Sequence, residues 1–162
     1  MTGPVLTDDL VAGAVKMLAA QPDVLAVLGA YPATAVPYLF QHTLWDKVEG
    51  TGSTAAVIAR RGGWAPPNPH NTMRFPRLSL EVWCDPQRDT SGQVTDPGEA
   101  YRRIQAAYEV IDAHLHTTGP RGGNWGGVRV LGSSRLADPA AFPIADGDGL
   151  LWLQVFYGVV EG

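Results

Sequence analysis

The stretch "RFPRLSLEVWCDP", residues 74–86, decides the fold class. Leu78, Leu80, Val82 and Cys84 alternate with Arg77, Ser79 and Glu81. Successive side chains of a strand point to opposite faces, so this pattern predicts a strand with one apolar face buried and one polar face exposed. Phe75 and Trp83 fall on the polar face. Bulky aromatics there need a cover. A second layer of the same chain supplies one readily, because helices commonly pack on both faces of a sheet. A neighbouring subunit is the alternative, because exposed aromatics are enriched at interfaces.

Working outward, two helices frame the strands. "LTDDLVAGAVKML" (6–18) has Thr7 as an N-cap and Asp8 and Asp9 at the positive end of the helix dipole. Leu6 and Val11 are placed for a hydrophobic staple, and Val11, Ala14, Val15 and Leu18 form an apolar stripe. "DPGEAYRRIQAAYEVIDAHL" (96–115) starts with Asp96 as cap, Pro97 at the first helical position and Glu99 at the third, a capping-box arrangement. Tyr101, Ile104, Tyr108, Ile111 and Leu115 recur at helical spacing and predict one face packed on the sheet. Glu99 and Arg103 make an i,i+4 pair.

Further strands are expected at "VPYLFQHTLW" (36–45), "TAAVIARRG" (54–62), "VRVLGSSRL" (128–136) and "LLWLQVFYGVV" (150–160), the last apolar on both faces and so internal. "DVLAVLGA" (23–30) fits either a short helix or a strand. "GPRGGNWGG" (119–127) reads as a flexible link. The expected architecture is one α+β domain spanning 1–162, with a mixed or antiparallel sheet of about five strands and two main helices packed on it. Extended loops are expected near 60–73, 85–96 and 137–149, the first because Pro66, Pro67 and Pro69 forbid a regular ladder.

The 162 residues suit one domain with a real core, and 45 % apolar with 17 % charged residues is the composition of a folded protein. A formal net charge of −4 argues against a surface built chiefly to grip nucleic acid, although a local basic patch survives such a sum. Cys84 is the only cysteine, which excludes an internal disulfide. No basic segment followed by an apolar one opens the chain, and no long uncharged apolar run occurs. Neither a signal peptide nor a membrane span is therefore expected.

The residues name no catalytic site, cofactor or metal. His114 and His116 stand two apart and share no helix face, so solvated histidines near a helix end are the expectation. "DGDG" (146–149) lacks the downstream glutamate of a calcium loop. "GPRGGNWGG" follows a helix and precedes a strand, the reverse of the order a phosphate cradle needs. Cys84 lies on the apolar face of its strand, as a buried structural thiol does. No serine stands in a nucleophile elbow. Asp85, Asp89, Asp96 and Asp138 lie at turns and caps. An enzyme is not expected.

The layout resembles the tail-terminator proteins of long-tailed phages, also called minor tail or tail-completion proteins. The carrying features are "LTDDLVAGAVKML", the proline-led "VPYLF", then "FPRLSLEVWCD" with a variable loop after it. The long helix "AYRRIQAAYEVIDAHLH" and the closing "LLWLQVFYGVV" complete them. The resemblance implies a non-enzymatic virion protein, assembled in the host cytoplasm, that forms a six-membered ring at the head–tail junction. Such a ring caps the tail tube, stops its growth and offers a surface for joining the head. The implied partners are further copies of the chain, the major tail tube protein and a head-closure or connector protein. Genomic DNA passes through the ring without sequence-specific binding, and no membrane is involved. Two other readings stay open: a head-closure or connector adaptor, and a small-ligand-binding or enzymatic α+β domain. Arg60, Arg61, Trp64, Phe75 and Trp83 are the candidate contacts to a subunit or partner.

Overall fold

Pro76–Cys84 is a central strand of the sheet, as its alternation requires. The computed structural model describes residues 9–31, 34–41, 55–64, 76–84, 89–93, 95–116, 123–143 and 151–161. In chain order the elements are α1 (Asp9–Ala19), α2 (Pro22–Val27), β1 (Leu39–Gln41), β2 (Ala55–Trp64), β3 (Pro76–Cys84), α3 (Pro97–Leu115), β4 (Gly123–Trp125), β5 (Val128–Arg135), β6 (Ala140–Pro143) and β7 (Leu151–Glu161). The strands lie in the order β1-β2-β3-β7-β5-β4, with β6 beside β7. β1 runs parallel to β2 and every other pair is antiparallel, so the sheet is mixed.

The α+β class is as expected, but the described residues hold seven strands and three helices rather than about five and two. The additional pieces are short. "DVLAVLGA" resolves as α2, started by Pro22 at its first turn, followed by isolated bridges from Leu28 to Ala55 and from Ala30 to Pro37. Of the strand expected at 36–45, Leu39–Gln41 form β1, while 42–45 lie outside the described residues. β2 holds the strand expected at 54–62 from Ala55 on and extends to Trp64, into the loop expected near 60–73: Gly62 and Gly63 form a register shift in the ladder instead of ending it. "GPRGGNWGG" is no free link, for Gly123–Trp125 pair with Val128–Val130. Gly126 and Gly127 have φ of 57° and 100°, and two successive positive φ angles are what a tight I′ hairpin turn needs. Ala140–Pro143, inside the loop expected at 137–149, pair with Leu151–Gln154.

The core lies between the helices and one face of the sheet. Val57, Val82 and Leu153 stand side by side on β2, β3 and β7, and Ala59, Leu80 and Val155 form the next row. All six are buried. Leu10, Val11, Ala14 and Leu18 of α1 and Ile104, Tyr108, Ile111 and Leu115 of α3 cover them. Tyr101, expected on this face, is 51 % exposed. Ala100 is buried in its stead. The small residue lets the first turn of α3 approach the sheet, and Tyr101, 100° further round, turns to solvent.

α3 begins as its sequence demands. The Asp96 carboxylate accepts the Glu99 backbone N–H at 3.1 Å. The Glu99 carboxylate pairs with Arg103 at 2.9 Å and with Arg102 at 3.2 Å. Thr7, Asp8 and the Leu6 staple lie outside the described residues. α1 rests on the β4–β5 turn: a Cβ on Gly13 would run into the Trp125 carbonyl, and one on Gly126 would come 2.8 Å from the Lys16 Cβ.

Candidate subunit interface

The second face of the sheet, away from the helices, is not the exposed polar surface that alternation predicts. Ser79 and Glu81 of β3 are both buried, Glu81 to 6 % exposure. Their cover begins with an aromatic cluster at the β1 side. Tyr38 and Phe40 pack with Ala56 and Ile58 of β2, joined by Tyr31 and Trp83. The Tyr31 and Tyr38 rings meet edge-on with centroids 4.9 Å apart, and Tyr38 and Phe40 are stacked at 6.2 Å. Trp83, bulky on a nominally polar face, is therefore partly covered by the chain itself.

Glu81 is the polar centre of this face. The Trp83 indole Nε1–H donates to its Oε2 at 3.1 Å, and the Arg60 guanidinium lies 3.5 Å from the same oxygen. Two donors are what a desolvated carboxylate needs. The Arg60 Nε has no hydrogen-bond partner among the described residues. Gln154 of β7 donates to the Ser79 hydroxyl at 3.3 Å. Beyond this point the cover thins. Phe156, paired with Ser79 across β3–β7, is 37 % exposed, and Leu136 is 49 % exposed. Leu136 lies over Gly158, where a Cβ would come 3.0 Å from its Cδ2.

Of the candidate contact residues, Arg60 and Trp83 meet at Glu81 on this face. The backbones of Arg61 and Trp64 pair with Leu78 and Pro76, while their side chains and all of Phe75 lie outside the described residues. Phe156 and Leu136 went unremarked in the sequence, since both sit among residues that read as core.

A second polar cluster lies on the helix side. Tyr157 donates to Asp112 Oδ1 at 2.7 Å, and Arg135 donates to Asp112 Oδ2 at 2.8 Å and to the Tyr108 hydroxyl at 2.7 Å. The Ser133 hydroxyl bonds the Leu115 carbonyl, and His116 Nδ1 accepts the Arg135 backbone N–H at 2.9 Å. Burial, then the bond to Asp112, pushes the Tyr157 phenol far above its ordinary pKa. Burial likewise raises Tyr108. His114 reaches Asp23 of α2 at 2.9 Å, and that hydrogen bond holds the Asp23 carboxyl below its usual range. The histidines expected to be merely solvated thus tie α3 to α2 and to β5. The sequence signal for this cluster was Asp112, a carboxylate four residues beyond Tyr108 on the inward stripe of α3. Every member is spoken for by another, as in a clamp between layers. Among the described residues no three His, Cys, Asp or Glu side chains gather as a metal site would require. No helix among them is long and apolar enough to cross a membrane.

No family model matches the chain, and no curated protein matches it. Among solved structures it shares its fold with a chain of the "Virion of native gene transfer agent (GTA) particle". That similarity has a TM-score of 0.55 and 16 % sequence identity, and covers 92 % of each chain.

Proposed function

We infer that this chain is a structural, non-catalytic subunit of a phage-type virion, and specifically a tail terminator. In this reading copies of it form a ring, six-membered by the family resemblance, on the finished tail tube. The ring ends tube growth and presents a new surface to a head-closure or connector protein. The observation that carries the reading is the fold shared with a virion chain over 92 % of both lengths, with the order of elements that first resembled tail terminators. The polar residues support it, because Asp112, Arg135, Tyr108 and Tyr157 are used in holding the layers together.

The physical need for such a protein is plain. A tube of identical rings shows the same end after every addition, and a head-to-tail contact continues without limit unless something different occupies that end. A ring that matches the tube on one side and differs on the other does this by shape alone. Electron microscopy of particles assembled without the chain tests the reading. Tails of uncontrolled length are the expected result. Tails of normal length that fail to join heads indicate a connector instead, and normal tails firmly attached to heads contradict both.

A further inference from the structure

We propose that the open part of the outer sheet face, around Phe156 and Leu136, seats the outward side of α3 from a second copy of this chain. The proposal rests on the virion reading and names the contact that would build its ring. The two surfaces lie on opposite sides of one subunit, so they cannot meet within a chain. Joined between copies they give a head-to-tail contact, the kind that closes into a ring.

Charge selects the partner. Near Phe156 on the sheet face Glu81 is matched by Arg60, which leaves Arg77, exposed and without an ion-pair partner among the described residues; Arg129, also exposed, lies towards the far end of β5, seven residues from Leu136. On α3, Arg102 and Arg103 are held by Asp96 and Glu99, Asp112 by Arg135, and His114 by Asp23. That leaves Glu109, exposed and, among the described residues, bonded only by the Gln105 amide at 3.2 Å. Among the described residues each of these two patches therefore offers one unmatched charge, of opposite sign, on the same patch as an exposed apolar group: Phe156 and Leu136 on the sheet, Tyr101 on the helix.

The spacings agree. Tyr101 and Glu109 lie two i,i+4 steps apart on one stripe, about 12 Å along the helix at 1.5 Å per residue. On the sheet, the Leu136 backbone N–H bonds the Phe156 carbonyl, and Arg77 pairs with Gly158 on the far side of β7. Leu136 and Arg77 are thus two strand spacings and two residues apart, a diagonal of about 12 Å from ordinary sheet dimensions. Tyr101 over Leu136 and Phe156 places Glu109 over Arg77.

A charge swap tests this, read as the amount of the chain in purified particles when each variant is supplied in trans. Both side chains are exposed, so R77E and E109R should melt as the parent does. Each single variant is expected to lower incorporation about tenfold, since a reversed charge faces its like across an interface. R77E/E109R is expected to recover most of it. Parental incorporation of either single variant, or a double variant no better than the singles, overturns the contact while leaving the virion reading intact. A parent chain absent from particles overturns both.

Discussion

At the scale of single residues, burial and hydrogen-bond satisfaction make the strongest demands. Ile104 is 2 % exposed in the middle of the α3 stripe. Ile104→Ala is expected to lower unfolding free energy by about 2–5 kcal/mol, the usual cost of truncating a buried aliphatic. A loss below about half a kcal/mol in urea unfolding would contradict the packing. Tyr157 gives a pH signature. Its pKa is raised in the folded chain above the unfolded value, so above about pH 10 the unfolded chain releases a proton that the folded chain keeps. Its contribution is complete below that pH and is lost as pH rises, by up to about 1.4 kcal/mol per unit for one group. Tyr157→Phe should flatten the alkaline fall in stability, leaving the part due to Tyr108. An unchanged slope would show that Tyr157 ionises freely. Leu78, Leu80 and Val82 could be read as core because a strand's period is local. The partners of Tyr157 could not, because the register of β5 and β7 brings Arg135 beside it.

At the scale of elements, long periodic segments were legible and short ones were not. α3 declared itself by its cap and stripe, and β3 and β7 by their patterns. β4 and β6, with 3 and 4 residues, are too short to carry a period and exist only through their neighbours. β2 runs on to Trp64, past the end at 62 expected for it, because Pro66, Pro67 and Pro69 mark a loop without fixing where it starts, and an antiparallel partner can carry a ladder across a bulge. The second cover of β3 was invisible for a similar reason: Tyr31, Tyr38 and Phe40 reach it through the chain's path, not through any pattern in β3. Two substitutions test these elements. Asp96→Ala removes the acceptor for the Glu99 N–H and should cost about 0.5–2 kcal/mol, with Asp96→Asn retaining most of it. Gly13→Ala places a methyl group against the Trp125 carbonyl and should cost about 1–3 kcal/mol, although alanine is the better helix former. A stabilised Gly13→Ala variant would show that α1 does not rest on the β4–β5 turn.

At the scale of the whole molecule, the chain has two unlike sides. One is a helix layer clamped to the sheet by Asp112, Arg135 and Tyr157. The other is a sheet face covered by aromatics near β1 and open near Phe156. The α+β class could be read from the alternation of runs of strands with single helices, whereas the half-open face required knowing which strands are neighbours. Unlike sides favour head-to-tail assembly, and a ring of such subunits is what the proposed role at the end of a tail tube needs. The most direct measurement is a cryo-electron-microscopy map of the intact particle, with this chain identified from its density. The expected result is a single ring of copies at the head-proximal end of the tail tube, each resting its open sheet face on the helix layer of the next. A map in which another protein occupies that position, or in which this chain is absent from the particle, contradicts it.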